Sequence, residues 1–141
     1  MKKSILFFMI MIAGEIVSAY TLDVKVYGLR NSKGVVQVSL YNKDGSIPDE
    51  KYKKYFKQKV VKIKNNQIEV KFTGLEKGRY AVNILHDENQ NGKIDKGFLL
   101  PKEGIGFSNF ESINITNKPN FKKASFILDH DKKIKVKVIY F

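Results

Sequence analysis

With no cysteine among its 141 residues, the chain has no disulfide framework, no thiolate metal site and no lipid-attachment cysteine. Lysine and arginine outnumber aspartate and glutamate 26 to 14, a formal charge of +12, which raises nucleic acid or an anionic surface as a partner. Only Arg30 and Arg79 are arginine and the lysines are spread along nearly every predicted strand, so the distribution argues against nucleic acid and leaves solvated strand faces or attraction to anionic glycans or lipids.

At the N-terminus, Lys2 and Lys3 precede an apolar run over 5–13, then Glu15 and the small-residue ending Val17-Ser18-Ala19. This pattern predicts a secretory signal peptide cleaved after Ala19, and so a periplasmic or secreted protein. The run is too short for the roughly 20 residues of a spanning helix, so no transmembrane span is expected in the mature chain. Residues 20–141 suffice for one domain with a core and are too few for two.

From Tyr20, Leu22, Val24 and Val26 alternate with Thr21, Asp23 and Lys25, the period of a half-buried strand. A turn at Asn31-Ser32-Lys33-Gly34 leads to a second alternation, Val36, Val38 and Leu40, so the two are expected to form a hairpin. Gly45 and Pro48 mark a loop, and Tyr52, Tyr55 and Phe56 then recur at helical spacing, predicting one short amphipathic helix or an ordered excursion whose aromatic side covers the sheet. Strands follow over 60–64 and 67–72, joined by Asn65-Asn66, a pair suited to positive φ. Gly78-Arg79-Tyr80 opens the next apolar strand. Near the end, Ala124, Phe126 and Leu128 and then Ile134, Val136, Val138 and Tyr140 alternate around the turn Asp129-His130-Asp131, whose three side chains point apart and make a poor metal site.

The stretch from Gly78 to Asn109 concentrates the side-chain oxygens. Counting Asp87 as first, Asp87, Asn89, Asn91 and Asp95 fall at places one, three, five and nine, with Gly92 sixth and the Lys93 carbonyl available at seven. That spacing turns oxygens toward one hard cation, with glycine at the sharp bend. An EF-hand carries a bidentate Glu at place twelve, where this chain has Phe98, so the loop looks more like the calcium loops of dockerin or thrombospondin-type repeats. With two charged ligands opposed by Lys93 and Lys96, calcium affinity is expected on the order of 10⁻⁴ to 10⁻³ M. The alternative is a plain turn, since Asn91-Gly92 is a turn signal by itself and Asx side chains cap their own backbone. Gly104-Ile105-Gly106-Phe107-Ser108-Asn109 suggests a second, ligand-binding loop, with His86 and Glu103 beside it; the same glycines also suit positive φ in a long connection.

The segments GLRNSKGVVQVSLYN, GLEKGRYAVNILHDENQNGKID, FLLPKEGIGFSN and FKKASFIL, with the closing KIKVKVIYF, are together similar to the secreted bacterial family of domain of unknown function 2141. The Gly-Leu turn followed by Gly-Arg-Tyr also resembles a crossing in prealbumin-type sandwiches. The resemblance implies an exported, all-β, antiparallel Ig-like (prealbumin or transthyretin-like) sandwich, and the period-two runs predict no more than one short helix in it.

Three functions remain open. The first is a non-enzymatic periplasmic binding or accessory module with a calcium-stabilised loop and an unidentified ligand or envelope partner. The second is a hydrolase-like enzyme using His86, Glu103 and Ser108, although no Gly-x-Ser-x-Gly elbow or His-x-x-x-His pair supports it. The third is a polycation adhering to anionic envelope polymers.

Overall fold

The computed structural model describes residues 18–94 and 101–141; all but the last two residues of the expected signal peptide, 1–19, and the residue at place nine of the acidic loop, Asp95, lie outside them. Among the described residues eight strands are β1 (Tyr20–Tyr27), β2 (Val35–Tyr41), β3 (Lys57–Lys62), β4 (Ile68–Leu75), β5 (Gly78–Asp87), β6 (Gly104–Phe107), β7 (Phe126–Leu128) and β8 (Lys132–Lys137), and one helix is α1 (Phe121–Ala124). They form a three-stranded sheet, β4-β1-β8, packed on a five-stranded one, β3-β2-β5-β6, in which β7 also pairs with β5. The chain is therefore an all-β sandwich with one helical turn, as the alternating pattern predicts.

The alternation decides the interior. Leu22, Val24 and Val26 of β1 and Val36, Val38 and Leu40 of β2 are all fully buried, and they meet Val70, Phe72, Val82, Ile84 and Val136 between the sheets. Fully burying each such side chain stabilises the fold by about 1.5 to 3 kcal/mol. β5 is buried on both faces, because a second apolar cluster of Tyr41, Tyr52, Leu85, Phe107, Phe110 and Phe121 covers the outer face of the large sheet.

Several expectations are corrected. The first two strands form no hairpin: β1 pairs antiparallel with β4, while β2 pairs with β3 and β5 in the other sheet. Alternation tells a strand which face to bury, and both strands bury the same kind of face from opposite sides. β1 also runs parallel to β8, with Leu22 beside Lys132, so the small sheet is mixed. Of the two forms expected for the tyrosine segment, the structure has the ordered excursion and not the helix. Asp49 collects the N–H groups of Lys53 and Lys54 at 3.1 and 2.8 Å, and Tyr52 is held at φ 49°, a conformation that ends any helix there. The helical turn occurs at α1 instead, capped by Asn120, whose Oδ1 accepts from the Lys123 N–H at 2.8 Å. Asn65 and Asn66 do take positive φ, 54° and 56°.

Gly104 and Gly106 belong to β6 and serve close approach. A Cβ on Gly104 would stand 2.4 Å from Tyr140 Cε1, and one on Gly106 2.4 Å from the Lys137 carbonyl oxygen. Without those side chains, β6 reaches the chain beyond β8, and Ile105 and Ile139 exchange backbone hydrogen bonds of 3.0 and 2.7 Å across the two sheets.

Candidate functional site

β5 ends at Asp87, and the chain after it winds back onto that side chain. Asn91 and Gly92 donate their N–H groups to Asp87 Oδ1 and Oδ2 at 3.1 and 2.6 Å. Asn89 Oδ1 accepts from the Asn91 N–H at 3.2 Å, and Asn91 Oδ1 from the Lys93 N–H at 2.9 Å. The side chains at places one, three and five thus each close a turn over the backbone ahead of them, with Gln90 and Gly92 at φ 57° and 71°. Asp87 is 2 % exposed and has no ion-pair partner among the described residues; neutral N–H donors hold it.

Glu88 turns elsewhere. Arg30 Nε donates to its Oε1 at 2.8 Å and Asn31 Nδ2 to its Oε2 at 3.4 Å. Burial alone would raise the Glu88 carboxyl, but the Arg30 and Asn31 hydrogen bonds and the Arg30 charge outweigh it and hold the group below the usual carboxylate range. Among the described residues no three His, Cys, Asp or Glu side chains gather as a metal cluster, so a cation in the loop would depend on amide and carbonyl oxygens beside the carboxylates. Asp129, His130 and Asp131 divide as expected: His130 bonds Asp129, and Asp131 accepts from the Thr21 N–H.

The second loop does not present the surface the sequence suggests. Phe107 is buried against Phe110. Ser108 Oγ donates to the Ala124 carbonyl at 2.6 Å and accepts from the Val82 N–H at 2.9 Å, and Asn109 Nδ2 reaches the carbonyls of Lys123, Ala124 and Ser125 at 3.2, 3.2 and 3.0 Å. These side chains anchor α1 to the sheet, and the reading of 104–109 as a ligand loop is dropped.

His86, Glu103 and Ser108 do not converge either. His86 lies on the inner face of β5, fully buried, with both ring nitrogens engaged. Ser108 bonds Val82, well down the same strand, and Glu103 flanks Gly104, whose inward orientation sends its neighbour to the outer face.

The sequence model of a bacterial family described as "uncharacterized protein conserved in bacteria (DUF2141)" matches residues 24–137, most of the chain. The chain belongs to the DUF2141 family. No curated protein and no solved structure matches it.

In this family member the outer face of the five-stranded sheet holds polar residues that the alternation alone would assign to solvent. Gln37, Ser39 and Asn83 are buried there with Tyr41, Asp49 and Tyr52. Tyr41 donates to Asp49 Oδ2 at 2.9 Å, and Gln58 Nε2 to Ser39 Oγ at 3.0 Å. Gln37 Nε2, Tyr52 Oη and Asn83 Oδ1 make no hydrogen bond of good geometry. Burial pushes both phenols up; the amide of Asn83 opposes the rise, and for Tyr52 the charges of Asp49, Glu103 and Asp87 add to it. Beside this layer a cleft of about 510 Å³ runs between Glu50, Lys51 and Lys53 on one side and Gly92, Lys93 and Ile94 on the other. The available signal was a glutamine, a serine and an asparagine within two strands whose neighbours are all apolar.

Proposed function

We propose that this protein is an exported, non-enzymatic binding or accessory module in which the loop beginning at Asp87 takes up calcium with low affinity. The observation that carries the reading is the Asp87 carboxylate, withdrawn from solvent and wrapped by the N–H groups of Asn91 and Gly92. Each oxygen keeps a lone pair beyond those bonds, and Asn89, Asn91 and the Lys93 carbonyl follow at the spacing of a hard-cation loop. Export rests on the leader-like residues 1–19.

The test is a thermal melt of chelator-stripped protein with and without millimolar calcium. Calcium at about ten times Kd adds roughly 1.4 kcal/mol to a fold that alone binds it, a melting shift of a few degrees. Asp87→Ala abolishes the shift and Glu88→Ala leaves most of it. An unchanged wild-type melt, with unchanged amide resonances over 87–95, ends the calcium reading.

A second reading, adhesion to anionic glycans or lipids, draws on the outer face of the three-stranded sheet. There Lys25 pairs with Lys135 across the β1 and β8 ladder and Lys133 lies beside Asp23, with Lys71 on β4 next to it. Binding to anionic vesicles that collapses as salt rises supports this reading; salt-insensitive binding excludes it.

A further inference from the structure

β3 and β4 leave one turn together and part into different sheets. At the turn they are a hairpin, where Lys64 and Gln67 exchange backbone hydrogen bonds of 3.4 and 3.3 Å around Asn65 and Asn66. Beyond it β3 pairs with β2 in the large sheet and β4 with β1 in the small one, so that among the described residues β4 is an edge strand. Two lysine side chains span the gap. Lys59 Nζ donates to the Lys71 carbonyl and Lys57 Nζ, at 3.4 Å, to the Thr73 carbonyl, in the antiparallel order that a continuing ladder would have. On its way Lys59 crosses the Phe72 ring, with Nζ 5.5 Å from the ring centre.

The backbone groups of successive strand residues point to opposite sides, so Glu69, Lys71 and Thr73 present the N–H and carbonyl groups by which a further strand could join. An edge of this kind is a template for another chain, and lysine is among the side chains that prevent the pairing.

The exposed face of β4 indicates which chain it fits. Glu69 and Lys71 both point outward, beside Lys25 and Asp23 of β1 respectively. With a second β4 laid antiparallel about a two-fold axis at Val70, Glu69 stands opposite Lys71 of the second copy, and Lys71 opposite its Glu69. Charges then alternate along the row Lys25, Glu69, Lys71, Asp23 as it passes from one copy into the other. Opposite charges facing across strands favour pairing, and these two positions are ones whose backbone groups face the seam.

We infer that the β4 edge is a docking surface for a second copy of this chain, and that Lys57 and Lys59 hold it shut. Two of the carbonyls an incoming strand needs are already bonded. Pairing would also crowd four ammonium groups, two from each copy, along one seam, where like charges repel. The interface is independent of calcium.

Sedimentation equilibrium of the purified protein over a range of concentrations tests it. Lys57→Ala/Lys59→Ala is expected to form dimers at least tenfold more tightly than wild type, whereas Lys57→Arg/Lys59→Arg, which keeps the donors and the charge, associates no more than wild type. Adding Glu69→Lys to the alanine pair sets lysine against lysine across the seam and returns it to monomer; adding Lys71→Glu as well restores the dimer. An alanine pair no more associated than wild type overturns the inference. A dimer indifferent to Glu69→Lys overturns it too, because its contact lies elsewhere, and so does an arginine pair that dimerises like the alanine pair. If the alanine pair does not fold, Lys59→Met, which keeps the stem over Phe72 and frees the Lys71 carbonyl, is read by the same measurement: tighter association supports the inference and wild-type behaviour overturns it.

Discussion

Nδ1 of His86 lies 2.7 Å from the hydroxyl of Tyr140, and Nε2 of the same ring lies 2.8 Å from the Lys33 carbonyl. A carbonyl only accepts, so Nε2 carries the proton and Nδ1 accepts from Tyr140. The Tyr140 oxygen in turn accepts from the Arg30 N–H at 3.1 Å. One imidazole thus joins the turn before β2, the inner face of β5 and the chain beyond β8. Replacing it with Phe keeps the bulk and strands the Lys33 carbonyl and the Tyr140 hydroxyl, at a cost of about 2 to 4 kcal/mol, while Tyr140→Phe costs about 1 to 2. Urea denaturation measures both, and a neutral His86→Phe contradicts the assigned bonds.

Gly34 and Gly45 both take positive φ, 67° and 74°, yet they differ in what surrounds them. A Cβ at Gly34 would stand 2.1 Å from the Asp87 carbonyl oxygen and 2.7 Å from Glu88 Cα, whereas nothing lies within 4 Å at Gly45. Gly45→Ala is expected to cost about 1 kcal/mol for the strained backbone. Gly34→Ala adds a backbone collision and is expected to cost at least about twice that, while also weakening any calcium response because the base of the loop must shift. Equal melting temperatures for the two variants contradict this packing.

Tyr41 and Tyr52 make the alkaline limb of stability predictable. Burial raises both phenols above the ordinary value near 10, so the stability they contribute is fully present below about pH 10 and is lost as pH rises beyond it. Spectrophotometric titration should show these two phenols ionising only as the fold is lost. Tyr41→Phe should flatten the limb. Ionisation of Tyr41 and Tyr52 while the fold persists excludes the buried placement.

Asn109 sits at φ 65° and its amide serves three carbonyls of the α1 region. Asn109→Ala loses those bonds and keeps the strain, and a cost of about 2 kcal/mol is expected. Asn109→Gly relieves the backbone and should recover part of the loss. Hydrogen exchange at Ala124 and Ser125 should quicken in both variants, and protection equal to wild type counts against the anchoring role.

The strand faces, the Asn65-Asn66 turn and the winding of the acidic loop were legible because each depends on neighbours in the chain. Partners were not. The alternation of Leu22, Val24 and Val26 is satisfied by either sheet, so it could not say that β1 leaves β2 for β4. Helical spacing in Tyr52, Tyr55 and Phe56 was overridden by Asp49, whose carboxylate claims the N–H groups a helix would use. Gly104 and Gly106 look like loop glycines until Tyr140 and Lys137 arrive against them from the other sheet.

β1 lies between β4 and β8, and Thr21 donates to Asp131 across 110 residues. The central strand of the small sheet therefore keeps one edge open until β8 is present. A loop of that size must close before its contacts reward it, and topologies dominated by such distant pairings fold in milliseconds to seconds rather than microseconds. During that interval β1 offers an unpaired row of N–H and carbonyl groups to any other chain, the usual route to misassembly. Loss of β8 by proteolysis would restore that hazard in a protein already folded, so the strand that guards β1 lies far along the chain from it.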